Sequence, residues 1–253
     1  MEQTLVLSSQ KAREINEANT PSNFTTVFDR PLILDKNKQY LIGLDKINSM
    51  TYSWYNINQD FGNTLIRYYN GKQDKEIIFE KGNYSYNDIN NYIKEILILN
   101  DDMEPDETSP ITIEFDLSSF KCLVSISNGF KLDLRNSHFG VLIGFEDELI
   151  SQTEYGSLTP NITNSIDTLY IHCDLINNSI VDGLYSDVIY VISTADLTRS
   201  YPFKDEPMRI GFCEVNKTMI NSINIYITDS LGKIINLNGV DTSFRFTLKE
   251  YII

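Results

Sequence analysis

The sequence predicts an all-β fold, two facing sheets in a sandwich or a closed barrel, and three observations carry that prediction. Short runs alternate apolar and polar residues: Leu169, Ile171, Cys173 and Leu175 against Thr168, Tyr170, His172 and Asp174, and Ile223, Ile225 and Ile227 against Asn224 and Tyr226. This is the period of a strand with one dry face. Asn, Asp and Gly punctuate the runs at Asn70-Gly71, Asn128-Gly129 and Asp182-Gly183, residues that tolerate turn geometry. Helical spacing is sustained in one stretch alone, SYNDINNYIKEILIL, at about residues 85–99. On the order of ten strands with one helix is the pattern of a sandwich or barrel.

Taken in order, residues 1–20 hold a short strand-like TLVL and then the polar SSQKAREINEANT, which ends at Pro21. The segment reads as a loose N-terminal arm or a short helix. PLILD runs into a turn at Asp35, Lys36 and Asn37, and QYLIGLDKI follows with Tyr40, Ile42 and Leu44 on one face. MTYSWYNI continues that strand or turns a corner, and it contains Trp54, the one tryptophan. TLIRYY and KEIIF flank Asn70-Gly71 as a hairpin. In the helix, Tyr86, Ile89, Tyr92, Ile93, Ile96 and Leu97 follow helical spacing, and Ser85 with Asp88 resembles a capping box at its start.

An acidic loop, NDDMEPDETSP, precedes a three-strand meander read as ITIEFDL, FKCLVSI and FKLDLR. FGVLIGF, with Gly140 and Gly144, fits a tightly packed turn. Val188 to Ile192 is apolar on both faces, as in a strand covered on both sides. SINIYIT, a DSLG turn into KIINL, and SFRFTLKEY, with Phe244, Phe246 and Leu248 inward, complete the set.

The chain has 253 residues and a formal charge of -14. Its Lys and Arg form no stripe, which argues against direct nucleic-acid binding. No apolar run approaches the ~18 residues needed to span a bilayer. No basic leader precedes an apolar segment at the N-terminus, so the reading is synthesis inside the cell without a signal peptide. Cys122, Cys173 and Cys213 each sit in an apolar strand pattern, an odd number that suits buried reduced thiols better than disulfides. Sequons occur at Asn23, Asn83, Asn161, Asn177 and Asn216, which an Asn-rich composition explains.

The search for chemistry assigns no catalytic, cofactor-binding or metal-ligating residue. His138 and His172 are far apart and have no metal-ligand spacing. His172 shares a strand face with Asp174, which would allow a base and its orienter; a solvated strand face accounts for both and is the reading taken. Asp101, Asp102, Glu104, Asp106 and Glu107 lack the order of a calcium loop and are interrupted by Pro105. Gly232 and Lys233 lack the other members of a phosphate loop. Trp54 with Tyr52 and Tyr55 could form a sugar platform, and a core or interface cluster is the preferred reading.

Five blocks, in order, resemble a known family. They are IGLDKINSMTYSWYNIN, EKGNYSYNDINNYIKEI, FGVLIGF, SIDTLYIHCDLINNSIVDGLYSDVIYVIST and INSINIYITDSLGKIINLNGVDTSFRFTLKEY. Together they resemble the minor capsid, or penton, protein of Polinton (Maverick) elements, adintoviruses and virophages, over roughly residues 23–251. Where the family pattern has a Pro-rich passage, this chain has DLTRSYPFKDEPMRIGF.

The resemblance implies a single jelly roll, here residues 21–253, and the arm read from the sequence over residues 1–20 is the candidate for tethering neighbouring capsid subunits. It also implies a homopentamer at the fivefold vertices of an icosahedral capsid, beside a double jelly-roll major capsid protein, with the virion as its location. The family's role is geometric and brings no catalytic residue, so no enzyme activity is expected. The alternative is a carbohydrate-binding jelly-roll module, which needs an exposed aromatic platform or a calcium site. A hydrolase on a β-sandwich ranks third, because no nucleophile with a base is visible.

Overall fold

The computed structural model describes residues 2–50, 54–163, 166–194 and 203–251. In chain order the elements begin with β1 (Glu2–Ser8), α1 (Ser9–Ile15), β2 (Asn23–Ile33) and β3 (Gln39–Met50). There follow β4 (Leu65–Tyr69), β5 (Asp74–Ile78), α2 (Tyr86–Leu99), β6 (Ile111–Asp116), β7 (Lys121–Ile126), β8 (Lys131–Asp133), α3 (Phe139–Ile143), β9 (Leu149–Ile150) and β10 (Glu154–Tyr155). The chain then forms β11 (Thr168–Cys173), β12 (Ser179–Val181), β13 (Leu184–Ser186), β14 (Val188–Ser193), β15 (Phe203–Asp205), β16 (Cys213–Glu214), β17 (Met219–Thr228) and β18 (Ser243–Tyr251). Where one domain over residues 21–253 was expected, the chain divides into two compact units, residues 1–54 with 166–253, and residues 55–165.

The first unit is an eight-position jelly roll. β1 pairs with β18, β2 with β17, β3 with β15 and β16, and β11 with β14, all antiparallel. The chain is thus one long hairpin paired from its two ends inward. β18 also pairs with β3, and β17 with β11, which gathers the hairpin into two sheets, β1-β18-β3-β15 and β14-β11-β17-β2. This is the double Greek key of a jelly roll. The second unit, residues 55–165, is inserted in sequence between the third and fourth positions of that hairpin.

Alternation makes the sheets face each other. Ile42, Leu44, Phe244, Phe246 and Leu248 of one sheet and Leu169, Ile171, Cys173, Ile223, Ile225 and Ile227 of the other share one buried cluster. Phe24 of β2 stacks on Phe244 of β18 at 6.4 Å between ring centres. Burying each such side chain contributes about 1.5–3 kcal/mol. β15 and β16 are two pieces of one strand position, Phe203 opposite Met50 and Cys213 opposite Ile42. The chain between them crosses close to Gly43, where a Cβ would lie 2.4 Å from Ile210.

The expected arm is a correction. Residues 2–8 are the first jelly-roll strand, in seven-residue register with β18 from Glu2 opposite Lys249 to Ser8 opposite Ser243. Leu7 and Ala12 lie in the core. Arg13 holds Asp241 at 2.7 Å, and the Ser9 hydroxyl donates to the same carboxylate. The strand-like TLVL was the visible signal; its partner stands at the other end of the chain.

The second unit has its own core, in which α2 contributes Ile89, Ile93 and Leu97. The capping box at Ser85 and Asp88 forms as the sequence predicts. The β4–β5 hairpin forms too, with Asn70 Oδ1 accepting from the backbone amides of Lys72 and Gln73 and Gly71 at φ +89°. The meander is redistributed: β6 pairs with β7, whereas β8 leaves them to pair with β4. FGVLIGF is the short helix α3, closed by Gly144 at φ +74°, where a Cβ would lie 2.4 Å from the Leu158 carbonyl oxygen. KIINL forms no strand, contributing only an isolated bridge between Ile234 and Thr228.

Candidate functional site

The most developed polar constellation is on the outer face of the β14-β11-β17-β2 sheet. Alternation along β11 sends Leu169, Ile171 and Cys173 inward, so His172 and Asp174 face out. His172 is opposite Tyr226 of β17, and the two rings stack at 4.2 Å with 9° between their planes. A bulge in the β11–β14 pairing sets His172 opposite Val188, and the residue before it, Asp187, meets His172 Nδ1 at 2.7 Å. The Tyr226 hydroxyl donates to the same carboxylate at 2.8 Å, and Thr228 Oγ1 lies 3.0 Å from His172 Nε2.

A carboxylate oxygen accepts, so in this pair Nδ1 carries the proton, while Nε2 and the Thr228 hydroxyl hydrogen-bond each other. Burial, with the hydrogen bond to Asp187, raises the Tyr226 pKa and keeps the phenol a donor. Asp174 is engaged elsewhere, accepting from Lys217 at 2.6 Å and from the Asn224 amide at 2.9 Å. The carboxylate beside His172 is therefore Asp187, not Asp174. Tyr226 and Thr228 were likewise missed; they alternate outward on a strand whose pairing with β11 no local pattern reveals.

These groups floor an open groove of about 960 Å³, walled by Tyr185 and Ser186 on one side and reaching Gly232. A histidine between a carboxylate and a hydroxyl is the geometry of a base with its orienter. The hydroxyl in question belongs to Thr228, which is only 3% exposed and is already hydrogen-bonded to the ring. The arrangement acts as a clamp that ties the chain after β13 to the sheet.

The other sequence candidates do not converge on this groove. His138 precedes α3 in the second unit and its Nδ1 meets the Phe61 carbonyl at 2.9 Å. Of the acidic loop, Asp102 is drawn inward: its side chain, 5% exposed, binds Lys75 at 2.9 Å and accepts from Tyr68 and Asn70. Asp101, Glu104, Asp106 and Glu107 stay exposed at the surface. Among the described residues no three His, Cys, Asp or Glu side chains gather as a metal site.

Trp54 is 2% exposed and belongs to the jelly-roll core, which removes it as a sugar platform. Tyr55 is half-buried, and Tyr52 lies outside the described residues. Gly232 and Lys233 close a turn on Asp229, whose carboxylate accepts from the Lys233 amide. Gly140 and Gly144 serve close packing, as the sequence suggested. The three cysteines are free thiols; Cys122 and Cys173 are buried and Cys213 half-buried. Burial pushes the Cys173 thiol up to about 12. The link DLTRSYPFKDEPMRIGF lies partly outside the described residues. No helix among the described residues is long and apolar enough to cross a membrane.

Exposed apolar side chains are the second feature. The β12–β13 hairpin, a two-stranded sheet of its own, presents Ile180, Leu184 and Tyr185 to solvent, and in the β14-β11-β17-β2 sheet Val27 and Ile33 of β2 and Met219 of β17 are exposed.

No protein-family model matches the chain, and no curated protein is similar to it in sequence. Solved structures are similar in fold. One is the Sputnik virophage structure, with 10% identity and a TM-score of 0.48, covering 98% of this chain and 97% of that one. Another is the crystal structure of the mavirus penton protein, with 12% identity and a TM-score of 0.52, covering 99% of this chain and 100% of that one. The likeness is one of fold: this chain is an all-β jelly-roll protein whose architecture is shared, from end to end, with a penton protein.

Proposed function

We propose that the chain is a penton-type minor capsid protein, a homopentamer at the fivefold vertices of an icosahedral shell. The observation that carries the reading is the fold shared with the mavirus penton protein over almost all of both chains. The chemistry agrees with it. The best polar constellation clamps a loop to a sheet, and Trp54, the candidate for a sugar platform, lies in the jelly-roll core. A role in which shape is the activity needs no reaction centre. The double jelly-roll major capsid protein is the proposed neighbour in the shell, and the virion the proposed location.

Negative-stain imaging of the purified full-length chain tests the proposal. Fivefold rings are the expected result. A chain that stays monomeric at tens of micromolar, and that fails to join shells of the major capsid protein, would overturn it.

A further inference from the structure

We propose that Asn90 of α2 stands in for a neighbouring strand: its side-chain amide occupies the open edge of β6 and, with Ser109 and Thr153, closes the β10-β7-β6 sheet against pairing with another chain. The need for closure comes from the sequence. β6 is the end strand of that sheet, and its run, ITIEFD, is rich in β-branched and aromatic residues with no proline inside it. An edge of that composition, left bare, is a template for a strand of another molecule. Alternate residues of an edge strand turn their N–H and C=O away from the antiparallel partner. The Ser127 amide donates to the Pro110 carbonyl at 3.0 Å, which sets the phase: Ile111, Ile113 and Phe115 turn their backbone groups outward.

Each of these residues meets a side chain. Asn90 Oδ1 accepts from the Ile113 amide at 2.8 Å, and Asn90 Nδ2 donates to the Ile113 carbonyl at 2.8 Å. A carboxamide offers an acceptor and a donor as a peptide group does, so these are the two bonds a neighbouring strand would make. Asn lowers helix propensity inside α2, and the pair of bonds offsets that cost. The Ser109 hydroxyl donates to the Ile111 carbonyl at 2.7 Å and accepts from the Ile111 amide at 3.4 Å. At Phe115 the helix supplies a ring, Tyr86, stacked at 5.9 Å with 4° between the planes. The far side of the sheet is treated alike. β10 pairs with only Leu123 and Val124 of β7, and beyond it the Thr153 hydroxyl accepts from the Ile126 amide at 3.1 Å and donates to the Ile126 carbonyl at 3.4 Å.

Three side chains thus each engage both backbone groups of one strand residue, at positions where the sheet has no further strand to offer. The Asn90 bonds lie beside solvent, because Ile113 and Phe115 line an open cavity of about 420 Å³ with Tyr86 and Asn87. Removing the amide therefore bares the edge to water and to other chains. The inference is independent of the pentameric reading and constrains it: copies of this chain join through surfaces other than the edges of this sheet.

The test uses the full chain with Asn90→Ala, Asn90→Asp and, as a control, Asn91→Ala at an exposed neighbour on the same helix. Circular dichroism at 222 nm verifies that each variant folds. Amide hydrogen exchange should show the Ile113 N–H exchanging about tenfold faster in Asn90→Ala, the loss of one hydrogen bond. Thr112 and Glu114, which pair with β7, should be unchanged. Asn90→Asp keeps the acceptor, so the Ile113 N–H should stay protected, and Asn91→Ala should match the wild type. Unchanged exchange at Ile113 in Asn90→Ala, or equal acceleration at all three amides, would overturn the surrogate role. Asn90→Ala combined with Ser109→Ala and Thr153→Ala bares both edges. Sedimentation velocity should then find species larger than those of the wild type at the same concentration, with the infrared band of intermolecular strands. A folded triple variant with the wild-type size distribution would overturn the closure; should that variant fail to fold, Asn90→Ala alone at rising concentration carries the same test.

Discussion

The jelly roll joins residues from the two ends of the chain, Glu2 to Lys249 and Asn23 to Tyr226, whereas the unit of residues 55–165 is built from neighbours in sequence. Their interiors differ as well. The jelly-roll cluster is made of strand side chains that meet across two sheets. The other unit packs a capped helix on its strands and draws an ion pair inward, Asp102 with Lys75, held by Tyr68 and Asn70. Non-local pairing has to close long loops before any contact rewards it. The inserted unit is expected to order without waiting for that, since its core draws on its own residues. What the difference teaches is that an insertion with its own core can interrupt a hairpin of eight positions without entering its pairing.

The two units carry separate reporters, which allows the comparison to be broken. Trp54 is the one tryptophan and lies in the jelly-roll core. α2, the longest helix among the described residues, lies in the other unit. The largest effect is expected from Phe244→Ala, which removes one ring of the Phe24–Phe244 stack and should cost about 3–5 kcal/mol. Urea titration should move the tryptophan transition and leave the helical signal at 222 nm near its wild-type midpoint. Equal shifts in both signals would mean the units unfold as one.

Asp102→Asn should do the converse. It leaves the Lys75 ammonium, 20% exposed, without its counter-charge, at about 3 kcal/mol, the low end for a buried pair because Lys75 retains some water. The 222 nm transition should fall and the tryptophan transition hold. A shift under 1 kcal/mol would show the pair to be solvated.

Acid sharpens the same contrast. Burial pushes the Asp102 carboxyl up, but hydrogen bonds from Tyr68, Lys75 and Asn70 together hold it below the usual carboxylate range. A carboxyl depressed in the folded state contributes its full stability above the unfolded value of about 3.9 and loses it as pH falls through the folded value. The 222 nm transition should therefore weaken below about pH 4 in the wild type and weaken less in Asp102→Asn. Identical acid profiles in the two proteins would reject this assignment. The smallest effect belongs to Ser85→Ala, which opens the capping box and should lower the helical transition by about 1 kcal/mol. A second substitution at Asp88 should add little, since both residues serve one motif.

Much of the fold was legible because its signals are local. The alternation of β11 and β17, the hairpin at Asn70-Gly71, and the helix with its Ser85 cap all depend on residues a few positions apart. The site was less legible. His172 was visible as an outward residue, but its partner is Asp187, beyond a hairpin, and Tyr226 and Thr228 arrive from another strand. Asp102 looked like its acidic neighbours in the loop; only the fold sets it against Lys75.

By itself the amino-acid sequence determined the strand class, the helix and its start, the turns, and the acidic net charge, because periodicity and capping are properties of short stretches and charge is a property of composition. Tertiary structure alone decided that residues 2–8 are the first strand and not an arm, that residues 55–165 form a unit with its own core, and which carboxylate meets His172. Strand pairing is a choice among many partners of equal local merit, and it is settled by which pairing buries the most apolar area at once.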